Sequence, residues 1–323
     1  MTTSSDRVSQ TVRIVTGSRL HFGLLDTAPP FGGVGVMIDH PQTEVIVTPS
    51  ETFACDDPSS RTHDIANRLT EFLGLTNLPH CHVRVAQRAT AHHGLGTGTQ
   101  LALAVAEAMA TFCGLDLPPE VLASKIASRG KRSAVGSHGY FRGGLIFESS
   151  DSDSANDLNA IQHRIELPND WRVLIFRPTE TSPTVSGTDE QDQFDRLGSA
   201  SNSQQDELRQ IVQKQLIPTA EQAEFGLFCE AVHRYNHQSG MLFSSVQGGP
   251  YSSPAITDLV SMLTSHGGTG VGQSSWGPSV FSWFESPSSA DEFIHKVKAA
   301  GLHPIICQVQ NEPRTRCVIQ GDG

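Results

Sequence analysis

The sequence predicts an α+β protein of two units, and three observations carry that prediction. Segments in which apolar and polar residues alternate are interspersed with segments whose apolar residues recur at offsets of three and four. No segment repeats at a fixed period, which excludes a solenoid or propeller. A short acidic and polar run, Ser149 to Asn159, divides the 323 residues into two stretches of ordinary domain size, 1–160 and 161–323.

Along the chain, residues 11–26 alternate Val12, Ile14 and Val15 with polar neighbours and predict a strand entering a loop. Gly33 to Asp39 and the following TEVIVTP predict further strand, so an antiparallel β region opens the chain, with its glycines at bends or close backbone approaches. Thr62 to Leu75 predicts a helix stopped by Gly74, and the alternation of Cys81, Val83 and Val85 a half-buried strand. Leu101, Val105, Ala108, Met109 and Phe112 share one helical face that Gly114 terminates. Pro118 and Pro119 open a helix over Glu120 to Arg129. In the second half, Trp171 leads a buried strand and Ser199 to Gln205 is a flexible patch. Helices are expected over Gln205 to Gln215, Thr219 to Gln238, Ser253 to His266 and Ala290 to Ala300, with strands from Ser279 and around Ile305.

Composition removes several functions. Thirty-four acidic against 23 basic residues give a net charge of −11, the wrong sign for a nucleic-acid backbone. No apolar window approaches the roughly 18 residues of a membrane span. The opening MTTSSDRVSQTVR lacks the apolar core of a signal peptide, so a cytoplasmic protein is expected. Six scattered cysteines predict reduced, mostly buried thiols, and the 14 histidines show no paired metal spacing, so no metal ligands are assigned.

Three glycine-rich segments carry the chemistry. In HHGLGTGTQLALAVAEA, Gly94, Gly96 and Gly98 lie between a predicted strand and a long helix, where backbone N–H groups and the helix N-terminus can cradle an anion, with Thr97 and Thr99 as further donors. A glycine turn capped by threonine, with no ligand, is the alternative. SRGKRSAVGSHGYFRGG concentrates Arg129, Lys131, Arg132 and Arg142 in an acidic protein, which points to phosphate or carboxylate, against the alternative of a solvated basic face. GGTGVGQSSWGPSVF adds Gln273, Ser274, Ser275 and Trp276, or is simply a tight crossover in which Trp276 belongs to the core. A phosphorylated substrate accounts for all three segments together.

The order of SRLHFGLLD, GLGTGTQLALAVA and GVGQSSWGPSVF resembles the three motifs of the GHMP kinase superfamily. With GGVGVMID and RGKRSAVGSHGYFRGG added, the chain from about residue 12 to 318 is similar to the β-ribofuranosylaminobenzene 5′-phosphate synthase family of methanopterin biosynthesis. The resemblance implies a two-domain GHMP-kinase-like fold, with an N-terminal ribosomal-protein-S5-like domain, a C-terminal ferredoxin-like domain and the site between them. It implies a decarboxylating pentosyltransferase that joins phosphoribosyl pyrophosphate to 4-aminobenzoate or 4-hydroxybenzoate, releasing carbon dioxide and pyrophosphate. Mg²⁺ is the implied cofactor, no organic cofactor is expected, and a homodimer is a family-level expectation.

The resemblance also implies site residues. The Gly94 to Gln100 loop is expected on pyrophosphate, and Arg19, Lys131 and Arg132, with Ser133 beside them, on carboxylate or phosphate. His21 and Asp26 are candidates for Mg²⁺, the ribose or the para substituent, and Gln273, Ser274 and Ser275 for the 5′-phosphate or the aromatic acid. Mevalonate-type kinases carry an acidic residue before a GG pair; here Lys131, Arg132 and Ser133 occupy that stretch, with no Asp or Glu from Ser128 to Phe147. Displacement of pyrophosphate needs positive charge rather than such a base. An ATP-dependent small-molecule kinase is the alternative enzyme, distinguished by nucleotide binding; a sensor of a phosphorylated metabolite is the non-enzymatic one, distinguished by binding without turnover.

Overall fold

The N-terminal alternation becomes β1 (Gln10–Leu24), which in this computed structural model pairs antiparallel with β2 (Gly33–Pro49). The structure describes residues 10–57, 59–91, 93–149, 158–178, 194 and 197–320. The two predicted stretches after Gly33 are one strand: its end pairs with β4 (Cys81–Gln87), which β3 (Ala54–Cys55) flanks in parallel. Its start pairs with β5 (Leu145–Glu148), and β5 pairs with β6 (Ile161–Ile165). A second, antiparallel sheet holds β7 (Arg172–Phe176), β8 (Thr269–Gln273), β9 (Val280–Phe284) and β10 (Ile305–Gln308) in the order β10-β7-β9-β8. The last strand, β11 (Thr315–Gln320), returns to the first sheet beside β1. The division expected at residue 160 is therefore crossed by β6 and again by β11.

Helices α1 (Arg61–Phe72), α2 (Thr97–Phe112) and α3 (Val135–Arg142) belong to the first sheet's unit. α2 is apolar on almost every side and is buried from Leu101 to Ala110, as expected of a helix inside a core. Its one acidic residue, Glu107, accepts from the Tyr140 hydroxyl at 2.6 Å and from Arg314 Nε at 2.8 Å, with Arg316 at 3.4 Å, which secures the approach to β11. Helices α4 (Asn202–Ile211), α5 (Phe225–Met241), α6 (Pro254–Ser265) and α7 (Pro287–Lys298) follow, and α5 touches both β1 and β8. One core joins the sheets: Phe22 of β1 lies 5.5 Å from Phe281 and 6.1 Å from Trp283, and Trp171 and Phe228 pack on the same seam. Each such side chain contributes about 2–3 kcal/mol through burial, so the two units are packed together rather than tethered.

Several expected elements differ. The Thr219 to Gln238 helix is two, Ile217–Glu221 and α5, broken where Ala223 takes a left-handed φ of 55° and the chain turns to set Phe225 and Phe228 on Trp171. The helix over Glu120 to Arg129 is a π-helical turn, Val121–Ile126. The basic segment contains α3, and the third glycine segment contains β8. Ser199 to Gln205 is not a loose patch: Ser199, Ala200 and Gln205 bond to Asp26, and Ser201 caps α4 in a capping box. Of the polar run at 149–159, residues 150–157 lie outside the described residues. All six cysteines are unpaired, with Cys81, Cys229 and Cys307 buried. No described helix is long and apolar enough to cross a membrane.

Candidate active site

A cavity of about 700 Å³ opens where loops of the two units meet. Arg19, Arg129, Lys131 and Arg132 line it, and no Asp or Glu does among the described residues. This local excess of cations is the reverse of the chain's net charge.

β1 delivers Arg19 and His21 to the wall. The Arg19 side chain lies against Gly96, where a Cβ would come within 3.2 Å of it. His21 Nε2 is 3.0 Å from the Ser133 hydroxyl, which ties β1 to the basic loop. Burial, and secondarily the Arg19 charge, hold the His21 imidazole well below its usual pKa, so the ring is neutral at physiological pH. The His21 amide donates to Ser274 Oγ at 3.0 Å, and the Ser274 hydroxyl donates to the Gly94 carbonyl at 2.7 Å. All three segments singled out in the sequence thus converge on this place.

Their parts differ. Gly94 has a φ of 74°, and a Cβ there would stand 2.1 Å from the Ser274 carbonyl oxygen, so glycine is required for close packing of backbone on backbone. Gly96 is the left-handed N-cap of α2. Of the loop, only Thr99 lines the cavity. Thr97 reaches the Thr90 carbonyl, and Gln100 is fully buried, accepting from Thr16 at 2.8 Å and donating to the Gly136 carbonyl at 2.9 Å. Gly98 lies against Arg61, a cation that the sequence reading did not single out. His92 lies outside the described residues.

Every residue from Ser128 to Ser133 lines the cavity, whereas Arg142, at the end of α3, does not. The absence of acid from Ser128 to Phe147 has a sequel one residue further on. Glu148, fully buried in β5, accepts from the Ala134 amide at 2.7 Å and so sits directly behind the basic loop without lining the cavity. Burial pushes its carboxyl up to about 8, against the opposing pull of the Ser133 hydroxyl, the Ala134 amide and Arg19.

Asp26 does not line the cavity. Its carboxylate accepts from the Thr27 and Ala28 amides, Ser199, the Ala200 amide and Gln205, a set of bonds that fixes the turn after β1 to the start of α4. Gln273 and Ser275 do line it, but the Gln273 side chain is spent on the Ser252 amide and the Ser275 carbonyl, and Ser274 is buried behind them. Trp276 is half-buried on the wall rather than in the core, and Phe31, Phe194 and Phe243 stand with it. These rings are scattered through the sequence, and no local pattern announces them.

The profile described as the GHMP kinases N terminal domain matches residues 61–141, and that of the GHMP kinases C terminal domain matches residues 216–303. A protein of Methanothermobacter thermautotrophicus named β-ribofuranosylphenol 5′-phosphate synthase is 28% identical over 83% of this chain and 87% of its own length. A protein of the same name from Archaeoglobus fulgidus is 26% identical, over 87% and 90%. Among solved structures, homoserine kinase of Cytophaga hutchinsonii is similar in fold, with a TM-score of 0.68 at 15% identity over 98% of this chain and all of the other. Mevalonate pyrophosphate decarboxylase of Streptococcus pyogenes is similar with a TM-score of 0.69 at 10% identity, over 94% and 98%.

Proposed function

Because this chain belongs to the β-ribofuranosylphenol 5′-phosphate synthase family of the GHMP kinase superfamily, we propose that it joins phosphoribosyl pyrophosphate to 4-hydroxybenzoate as the committed step of methanopterin assembly. The observation that carries the reading is the cavity wall, with four cationic side chains and no carboxylate among the described residues. Such a wall suits a substrate with two phosphate-bearing ends and an acid partner, and among the described residues it offers no carboxylate to deprotonate an alcohol for phosphorylation. The relatives are named for a phenol, which is what 4-hydroxybenzoate becomes on losing its carboxyl group; 4-aminobenzoate would give the corresponding aniline.

In this reading the pyrophosphate lies at the start of α2, beside Thr99 and Arg19, where first-turn N–H groups and a guanidinium stabilise charge as the anomeric C–O bond breaks. The ring carbon bearing the carboxylate then bonds to the anomeric carbon. The C–C bond to the carboxylate breaks, its electron pair restores the aromatic ring, and carbon dioxide leaves. Lys131 and Arg132 hold the anionic groups from the opposite loop. His21, kept neutral and bonded to Ser133, orients the para hydroxyl through a hydrogen bond as electron density is drawn through the ring.

The described residues do not fit a protein-held Mg²⁺. No Asp or Glu among them lines the cavity to offer even one carboxylate to the ion, and Asp26 is engaged by its own bonds. No step is assigned to the ion; in this reading it enters as a complex with the pyrophosphate. The test is product analysis with phosphoribosyl pyrophosphate and carboxyl-labelled 4-hydroxybenzoate. Labelled carbon dioxide and pyrophosphate in equal amounts are expected. ATP-dependent phosphorylation of an alcohol without label release would replace this reading with a kinase.

A further inference from the structure

We propose that the aromatic wall of the cavity is the seat of an aromatic carboxylate, its ring received by Phe194, Phe243 and Trp276 and its carboxylate by Arg132. The choice of acid rests on the reaction proposed above; the seat itself rests on geometry.

The rings come from separate segments and meet edge to face. Phe194 lies 5.8 Å from Phe31 at 90°, 5.6 Å from Phe243 at 87° and 5.6 Å from Trp276 at 78°, and Phe243 lies 4.8 Å from Trp276 at 70°. A cluster serving only stability would close over its faces. Here Phe243 and Trp276 are half-buried and all four rings line the cavity, so apolar surface is held toward the space that a substrate enters. A flat ring entering there meets faces and edges together, the arrangement that aromatic pairs favour.

Arg132 supplies the charge. Its guanidinium carbon lies 4.6 Å over the Phe194 ring, a cation–π contact. A guanidinium carries its N–H donors within its own plane, where they match a carboxylate's two oxygens. One residue thereby covers the ring cluster and marks its anionic end. The combination favours a planar aromatic anion over an aliphatic acid, which has the charge but not the flat face, and over a neutral aromatic, which has the face but not the charge. Trp276 also reports on the seat, because the other tryptophans, Trp171 and Trp283, are 3% and 0% exposed.

The experiment uses the full chain with 4-hydroxybenzoate as probe, with and without phosphoribosyl pyrophosphate, and follows tryptophan fluorescence and equilibrium binding. Binding is expected to quench Trp276. Trp276→Leu and Phe243→Ala should each weaken the acid by about tenfold while changing pyrophosphate affinity less than about twofold. Cyclohexanecarboxylate should bind wild type about tenfold more weakly than benzoate. Trp276→Phe, which keeps a ring and guards against a variant that does not fold, should abolish the quench yet bind nearly as wild type. Unchanged acid affinity in folded Trp276→Leu and Phe243→Ala overturns the seat, as does equal binding of the aliphatic acid or no binding by wild type. Turnover in the same samples separates the two proposals. Binding through Trp276 without carbon dioxide release upholds the seat and removes the riboside synthesis, whereas turnover with the acid's KM unchanged in both variants does the reverse.

Discussion

The loop from Gly94 to Gln100 and the loop from Ser128 to Ser133 read alike as sequence, each joining glycine to polar or cationic residues, yet the fold uses them in opposite ways. The first turns mostly inward: Gly94 meets the Ser274 backbone, Gln100 bridges Thr16 and Gly136, and only Thr99 faces the cavity. The second lies along the cavity throughout, with Glu148 behind it. Glycine marks places where backbones approach closely, whether the neighbour is a ligand or more protein. Charge is the better sign of which loop faces the ligand, because burying a cation is costly.

Four measurements test the contrast. The largest effect is expected from Glu148. Its carboxyl keeps its proton in the folded state up to about 8, against an ordinary value of 4.5. Between these limits the folded state binds more protons than the unfolded one. The group's contribution is thus fullest below pH 4.5, declines as pH rises and levels off above about 8, a span on the order of 5 kcal/mol. Glu148→Gln should flatten that slope in urea titrations across this range; an unchanged slope would separate Glu148 from the support of the basic loop.

Next, Gly94→Ala should cost about 3 kcal/mol of stability, since the new Cβ meets backbone and the residue is left-handed. Thermal melting measures it, and a wild-type melting temperature would show the inward loop to be slack. Lys131→Ala and Arg132→Ala should each lower kcat/KM by about 10- to 100-fold, as loss of a charge-assisted contact does, with melting temperatures close to wild type. Equal damage to stability would erase the contrast between the loops. The smallest change is expected from Ser274→Ala, which removes the bonds to Gly94 and His21 and should cost about 1–2 kcal/mol, read by the same melts.

What the sequence disclosed follows the same physics. Strand alternation and helical periodicity are local, so β1, β2, β4, α2, α6 and α7 are legible to within a few residues. β5 and β6 are too short to carry a period, and the break at Ala223 is set by the distant Trp171. At the site, Arg19, His21, Lys131, Arg132 and Ser133 stand on the cavity because their motifs announce charge and hydroxyl together. Asp26 shows the limit: a carboxylate in a loop motif reads equally well as a ligand or a staple, and only Ser199 and Gln205, about 175 residues away, decide it. The aromatic wall and Arg61 depend wholly on tertiary placement.

The return of Thr315–Gln320 to Gln10–Val15 sets a schedule for biosynthesis. A ribosome-bound chain that has emerged only through the first half has β1 with an open edge and Glu107 without Arg314 and Arg316. The first unit is thus completed last, by residues synthesised after the entire second unit. Ribosome stalling near residue 300 should leave a protease-sensitive nascent first unit even though the second sheet's strands up to β9 are already made.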